Sequence, residues 1–254
     1  MSFEGVNFTS HSGLCHIKGV PDSTSRLQKA GDAVIKAKQL QVVAGAYLSG
    51  MGYYVEVLPE IPNTDLKPDV VGIKPELEQI KLRLENKGGA PTGFLYLLSE
   101  DEWTPTESIV EKTGFNEDFV KAVLRDSEAD GWIKSKNEPA GKVFWKIDRY
   151  RLPGEECVMM CCGAEDALGT LDVLERLKGC FNRGYVLFPY QVDEEFLDRC
   201  FQSEIGVLFF DERIVSFREM VPAKHLEIKN FKAYSTICEK IVVDNYVMRT
   251  GEYF

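Results

Sequence analysis

The 254-residue chain lacks the features that mark membrane, secreted and P-loop proteins. No stretch approaches the roughly 18 consecutive apolar residues that a bilayer-spanning helix requires. The N-terminal residues carry neither the basic nor the apolar segment of a secretory signal peptide. No glycine-rich loop is followed by the Lys-Ser/Thr pair that holds nucleotide phosphates. We therefore expect a cytoplasmic protein with no membrane association.

Histidine is scarce, and the cysteines show no paired spacing. Three histidines leave few places for a Ser/His or Cys/His catalytic arrangement. The seven cysteines are odd in number, and several lie in apolar runs, where a reduced thiol packs as a small hydrophobe. His11, Cys15 and His16 offer three zinc-binding atoms, but no fourth ligand has the spacing of a zinc site. The cysteines thus indicate a reducing compartment, and a solvated polar segment is the simpler interpretation of the histidines.

Basic residues are too few for a protein that coats nucleic acid. The chain has 30 Lys and Arg against 40 Asp and Glu, a formal net charge of −10. Affinity for nucleic acid begins with Lys and Arg displacing counterions from the phosphates. Any contact with nucleic acid must therefore come from a local basic patch.

The outer parts of the chain alternate between helical and strand patterns. Apolar residues recur at helical spacing in residues 25–51, 167–182 and 193–202. Residues 157–162 form a fully apolar run, which is typical of a central strand buried on both faces. Further strands are predicted at residues 53–58, 68–73, 185–189, 205–210 and 214–217, and the remainder predicts a helix over 234–241 and a short terminal strand.

The middle of the chain predicts helices over residues 76–85, 92–98 and 104–112, then a longer helix capped by Asn116. In that longer helix, the apolar spacing places Phe119, Val120, Val123 and Leu124 on the inward face. Strands at 132–134 and 142–147 complete a hairpin. Residues 90–151 resemble a winged helix-turn-helix. The resemblance rests on this order of elements, on the short turn Thr113-Gly114-Phe115 and on the segment Ala129-Asp130-Gly131-Trp132-Ile133 that leads into the hairpin.

The two outer parts together resemble the restriction-endonuclease-like fold of the PD…(D/E)xK nuclease superfamily. The likeness rests on Gly52-Tyr53-Tyr54-Val55-Glu56-Val57 followed by Pro68-Asp69-Val70-Val71-Gly72, and on the later strands 185–189 and 205–211. It implies an α/β (α+β) protein with a mixed sheet flanked by helices, in which strand 157–162 lies beside residues 70–73. The winged helix is then an insertion. The predicted domains are residues 1–85 with 152–254, nuclease-like, and 86–151, winged helix.

The resemblance also implies a catalytic site that this sequence matches only in part. Asp69 stands where the family places its first metal-binding carboxylate, but the third strand offers Met160-Cys161-Cys162 and neither the acid nor the lysine of the motif. Glu165 is the nearest following carboxylate. We therefore expect a catalytically degenerate scaffold without a cofactor. The alternative is a Mg²⁺-dependent deoxyribonuclease that uses Asp69 and Glu165, and Pro68-Asp69 is equally ordinary turn chemistry.

The basic patch is predicted in the hairpin of the winged helix. The formal net charge of residues 91–131 is −7, whereas that of residues 132–151 is +4. Since a helix that reads the major groove should be basic or neutral, the helices are poor DNA readers and the hairpin is the candidate. A solvated hairpin with lysines at a sheet edge is the simpler alternative. The candidate nucleic-acid-binding residues are Lys134, Lys136, Lys142, Lys146, Arg149 and Arg151.

These observations predict a nucleic-acid-associated binding or regulatory protein on a degenerate nuclease-like scaffold. DNA would be bound through the hairpin, with a protein partner or a second copy as further partners. A pure protein-interaction scaffold is the other alternative, with a homodimer formed by apolar surface around Phe209, Phe210 and Phe217.

Overall fold

The computed structural model describes residues 7–11, 14–18, 37–85, 95–139, 141–163 and 166–251; for residues 7–18 and for Ala37 it describes the backbone only. The elements are β1 (Asn7–His11), β2 (Leu14–Lys18), α1 (Ala37–Gly50), β3 (Tyr54–Val57), β4 (Val70–Pro75), α2 (Leu77–Glu85), a 3-10 turn (Leu95–Leu97), β5 (Thr104–Pro105), α3 (Thr106–Thr113), α4 (Glu117–Ala129), β6 (Ile133–Asn137), β7 (Val143–Ile147), β8 (Gly154–Cys162), α5 (Ala167–Arg176), β9 (Arg183–Phe188), α6 (Glu194–Gln202), β10 (Gly206–Asp211), β11 (Ser216–Val221) and α7 (Phe231–Thr250).

The predicted α/β class is confirmed, and the chain divides into two units. Unit 1 comprises Met1–Lys74 and Glu156–Lys229, and unit 2 comprises Pro75–Glu155 and Asn230–Phe254. The predicted domain bounds place residues 77–85 and 231–250, which form α2 and α7, in the outer, nuclease-like domain, whereas the structure groups both helices with unit 2. Within unit 2, a buried ion pair joins the two helices: Arg83 of α2 lies 2.7 Å from Glu239 of α7.

Unit 1 contains an eight-stranded mixed sheet in the order β1-β2-β11-β10-β9-β8-β4-β3. Strands β8, β9 and β10 are parallel and are connected by α5 and α6, as βαβ crossovers require. The prediction that strand 157–162 lies beside residues 70–73 is confirmed, because β8 neighbours β4. The backbone N–H of Asp69 donates to the carbonyl of Met160 at 3.0 Å at this junction.

The apolar run of β8 is buried on both faces, as predicted. Val158 and Met160 belong to a cluster with Leu40 and Leu48 of α1. Successive side chains of a strand point to opposite faces. Cys157, Met159 and Cys161 are therefore directed to the other face of the sheet, where they are also buried.

Unit 2 holds a three-stranded sheet in the order β5-β7-β6, packed with α3 and α4. Its core contains Ile109 of α3, Leu124 of α4, and the two tryptophans Trp132 and Trp145. Asn116 caps α4 as predicted, since its side chain accepts the N–H of Phe119 at 2.7 Å. These contacts fix the rotation of α4 against the sheet.

The two ends of the chain differ from the sequence prediction. The C-terminal helix is α7, with 20 residues in place of the eight predicted over 234–241, and the described residues after α7 contain no strand. Buried residues lie on most sides of α7, so its sequence lacks a one-sided helical pattern. The polar N-terminal segment, for which no helix or strand is predicted, contains the antiparallel hairpin β1–β2. Residues 25–36 and 92–94 of the predicted helices lie outside the described residues.

Candidate nucleic-acid interface

Three lysines of the predicted basic patch share one face of the three-stranded sheet. The register pairs Lys134 with Lys146, and Lys136 with Phe144, on β6 and β7. The alternate residues on these strands include the buried Ile133 and Trp145, so the lysine side is the outer face. We call Lys134, Lys136, Lys146, Phe144 and Trp103 the lysine face.

Two aromatic rings lie among these lysines. The Nζ of Lys136 is 5.1 Å from the ring centre of Trp103 and 5.0 Å from that of Phe144. Both distances suit cation–π attraction. Both aromatic residues are half-buried, so part of each remains accessible to solvent. The lysine face therefore combines positive charge with aromatic surface.

Acidic residues reduce the charge of this patch. Lys134 pairs with Asp148 at 2.9 Å, and Lys136 pairs with Glu138 at 3.1 Å. The Nζ of Lys146 donates to the backbone carbonyl of Asp101 at 3.2 Å. The formal net charge of residues 132–151 is +4, and it falls to +1 when the three acidic residues at 100–102 are included. The charge of residues 132–151 alone overstates how basic the patch is, because the sequence does not reveal that residues 100–102 lie beside the hairpin.

The other three predicted residues lie outside strands β6 and β7. Lys142 is exposed in the turn between β6 and β7, and Arg149 is exposed after β7. Within the described residues, neither takes part in a salt bridge. Arg151 is bound to Glu100 at 2.5 Å and to the carbonyl of Tyr150 at 2.8 Å.

Helix α4 presents acids and an aromatic ring where a DNA-reading helix would present basic or amide side chains. Val120 and Leu124 are fully buried and orient the helix. The prediction that Phe119 faces inward is wrong: 48% of its surface is exposed. Phe119 lies one residue before the buried Val120, a rotation of about 100° around the helix that takes it out of the core. Glu117 and Asp118 are exposed in the same first turn.

Asp69 joins three elements of unit 1. Its Oδ1 accepts from Nε2 of Gln41 on α1 at 2.5 Å, and its Oδ2 accepts from the backbone N–H of Cys162 on β8 at 2.7 Å. Each oxygen thus already accepts a hydrogen bond, so the carboxylate connects α1, β4 and β8. This arrangement accounts for an aspartate at the start of β4 without any catalytic role.

The described residues near Asp69 are a poor set of ligands for Mg²⁺, which prefers several oxygen ligands. Its neighbours include the thiols of Cys161 and Cys162. Burial and the charge of Asp69 raise the pKa of Cys161 to about 12 and raise that of Cys162 further. Both thiols therefore stay protonated at neutral pH. Glu165, the second predicted ligand, lies outside the described residues, among which no group of three His, Cys, Asp or Glu side chains is placed to hold a metal.

A polar cluster that was not predicted from the sequence lies at the start of β8 and β9, at the opposite end of β8 from Asp69. Glu156 on β8 accepts from the hydroxyl of Tyr53 at 2.6 Å and from Nε of Arg183 on β9 at 2.7 Å. Burial alone would raise the pKa of Glu156, but the hydrogen bonds from Tyr53 and Arg183, and the charge of Arg183, lower it overall. No sequence signal points to this cluster, because Tyr53 precedes β3, Glu156 lies near the start of β8 and Arg183 begins β9, so its members are far apart in the chain.

A cleft of about 420 Å³ lies between the first turns of α5 and α6 and the segment after β9. Its lining includes Tyr190, Phe196 and Arg199 together with Asp193 and Glu195. The side chain of Asp193 caps α6, and Asp166 caps α5. These carboxylates already compensate the positive helix ends, so the cleft does not favour an anion.

Of the three residues predicted to form a homodimer surface, Phe209 is half-buried and the other two are buried. Phe210 and Phe217 are 3% and 1% exposed, and both belong to the core under α1. They form a contact pair whose ring centres are 5.1 Å apart. The strands that carry them are covered by α1, which the local pattern did not reveal.

In comparisons with known proteins, no family model, no curated protein and no solved structure matches the chain. Among the described residues, no helix is both long enough and apolar enough to cross a membrane.

Proposed function

We propose that this protein is a nucleic-acid-associated binding or regulatory protein whose lysine face contacts the phosphate backbone. The observation that carries the proposal is the register that places Lys134, Lys136 and Lys146 on one exposed face with Trp103 and Phe144. Lysines bind phosphates by releasing counterions, and aromatic rings stack on bases. The ion pairs on this face are partly exposed and individually weak, so phosphates can replace the carboxylates.

The order of elements in unit 2 supports a winged helix-turn-helix. A 3-10 turn, a short strand, two helices and a hairpin follow one another, and β7 lies between β5 and β6. In this proposal the hairpin, and not α4, contacts the nucleic acid, since Glu117 and Asp118 would face phosphates if α4 entered a groove. The neighbouring positions of β4 and β8 support the nuclease-like scaffold in unit 1.

The proposal is tested by titrating salt against the binding of a fluorescein-labelled 20-base-pair DNA and of the same single strand. We expect binding to weaken steeply with salt. Replacing Lys134, Lys136 and Lys146 together by Ala should reduce the slope of log K against log salt by about 2–3 on the duplex, because each lost phosphate contact contributes about 0.9.

The matched control replaces Lys178, Lys224 and Lys229, three exposed lysines of unit 1, by Ala. This control changes the net charge equally but leaves the lysine face intact, so we expect its slope to match that of the unchanged protein. Equal effects of the two triple variants would show that only the total charge matters and would refute the proposal.

A Mg²⁺-dependent deoxyribonuclease is the second candidate, favoured by the position of Asp69 at the start of β4 beside the end of β8. Supercoiled DNA is incubated with Mg²⁺ or Mn²⁺ and either the unchanged protein or Asp69→Ala. Since the described side chains beside Asp69 are an amide and two protonated thiols, which Mg²⁺ binds poorly, we expect neither protein to nick the DNA. Nicking that disappears in Asp69→Ala would establish the enzyme instead.

A further inference from the structure

Two phenylalanines form an exposed pair where α3 turns into α4. Phe115 and Phe119 are 50% and 48% exposed. Their ring centres are 5.2 Å apart, and the rings meet edge to face at 67°. Contiguous exposed apolar surface, unlike singly exposed apolar residues, is a feature of interaction sites.

The fold holds this pair in place. Helix α3 ends at Gly114, whose backbone has φ 71°, a left-handed conformation that glycine adopts readily. Asn116 then caps α4, and the buried Val120 and Leu124 fix the rotation of the helix. Phe115 and Phe119 are therefore positioned at the surface by the core beneath them.

The surroundings of the pair are acidic. Glu117 and Asp118 are exposed between the two rings in the sequence, and Glu111 is exposed in the last turn of α3. The nearby basic side chains are Lys112 and Lys121, and Lys121 pairs with Glu117 at 2.6 Å within the helix. Glu111 and Asp118 therefore outnumber the remaining lysine. A carboxylate-rich rim repels phosphates and attracts cationic side chains.

We propose that Phe115, Phe119 and the carboxylates around them form a docking surface for a short basic, amphipathic segment of another protein. Its apolar side chains would cover the two rings, and its Lys or Arg side chains would lie against Asp118 and Glu111. A second copy of this chain is a poor occupant, because a two-fold contact through this surface would place these carboxylates against their own counterparts. This surface is separate from the lysine face and does not depend on nucleic-acid binding.

The proposal is tested with the full chain and a fluorescein-labelled 16-residue peptide of Leu and Lys at helical spacing. The matched peptide has Glu in place of every Lys. We expect the Lys peptide to bind and the Glu peptide not to bind, as measured by fluorescence anisotropy. Phe119→Ser should weaken binding at least tenfold, whereas Phe201→Ser, which removes an equally exposed ring from unit 1, should leave it unchanged.

A charge control separates this surface from the general acidity of the protein. Asp118→Lys and Asp198→Lys change the net charge equally, and both aspartates are exposed, but Asp198 lies on α6 of unit 1. We expect Asp118→Lys to weaken peptide binding several-fold and Asp198→Lys to have little effect. Equal effects of the two charge variants, or of the two Phe variants, would overturn the proposal. A dimer in sedimentation experiments that dissociates on Phe119→Ser would overturn it in favour of self-association.

Discussion

At the scale of single residues, the most consequential contact in unit 2 is the ion pair of Arg83 and Glu239. Arg83 is fully buried, and its guanidinium also donates to the carbonyls of Gln79 and Arg151, at 2.9 Å each. Glu239 additionally accepts from the hydroxyl of Tyr150 at 3.0 Å. Removing both charges from water is costly, so this pair is tolerated only because nearly every donor and acceptor is satisfied.

We predict that Arg83→Met or Glu239→Gln lowers the free energy of unfolding by about 3–5 kcal/mol, because each leaves an unmatched polar group in the interior. Urea denaturation followed by tryptophan fluorescence measures the loss, since the Arg83 guanidinium lies 5.4 Å from the ring centre of Trp132. Lys81→Met, which breaks the exposed pair with Glu78, is the control and should cost less than about 1 kcal/mol. Similar losses in all three variants would contradict a special role of the buried pair.

Glu156 gives a pH-dependent prediction. Its pKa is lowered from the usual value of 4.5, so its contribution to stability is complete above that value and is lost as the pH falls through the lowered pKa. We expect Glu156→Gln to cost on the order of 1 kcal/mol at pH 7, discounted for the partial exposure of Arg183. The difference in unfolding free energy between the two proteins should shrink below about pH 4.5. A difference that stayed constant down to pH 3 would exclude the charge of Glu156 as its cause.

At the scale of elements, packing across the parallel strands depends on a glycine that follows β8. A Cβ at Gly163 would lie 2.0 Å from the ring of Phe188 on β9. Phe188 is fully buried, and its ring meets that of Phe196 of α6 edge to face, with centres 5.4 Å apart. The ring therefore has little room to move, and residue 163 must be glycine for β9 and α6 to pack in this way.

We predict that Gly163→Ala destabilises the protein by about 1–3 kcal/mol, the usual cost of overpacking a core. Gly45→Ala in α1 should have the opposite sign and stabilise by roughly 0.5–1 kcal/mol, since its Cβ would meet only ordinary contacts at 3.6 and 3.7 Å. Thermal and urea unfolding of both variants measure the two effects. If Phe188→Leu fails to reduce the cost of Gly163→Ala, the ring is not its cause.

At the scale of the whole molecule, unit 2 is assembled from two separate stretches of chain. Pro75–Glu155 interrupts unit 1, and Asn230–Phe254 returns to unit 2 after unit 1 is complete. The buried partner of Arg83 is therefore supplied by α7. Unit 2 is thus complete only when the C-terminal segment is present.

We predict that deleting residues 230–254 exposes unit 2 to exchange while the strands of unit 1 keep their protection. The physical reason is that Arg83 would remain without Glu239 and that α7 contributes buried residues along most of its length. Hydrogen exchange read by mass spectrometry compares peptides from α3 and α4 with peptides from β8 to β10. Deleting only the residues after Gly251 keeps α7 and is the control. Undiminished protection of α3 and α4 in the long deletion would contradict this account.

Features that depend only on neighbouring residues could be predicted from the sequence. The apolar run of residues 157–162 required a buried central strand, and Asn116 and Asp193 marked helix starts that the structure confirms. Such features are local, since an apolar run has few alternatives to burial and a cap bonds within its own first turn.

Which distant side chains meet became known from the tertiary structure alone. It joined Arg83 to Glu239 across 156 positions, placed both oxygens of Asp69 in hydrogen bonds, and brought residues 100–102 beside the lysines of the hairpin. It also turned Phe119 outward and covered Phe210 and Phe217. The hydrogen bonds, ion pairs and burial of a polar or aromatic side chain depend on the residues it contacts, and these contacts depend on how whole helices and strands pack together.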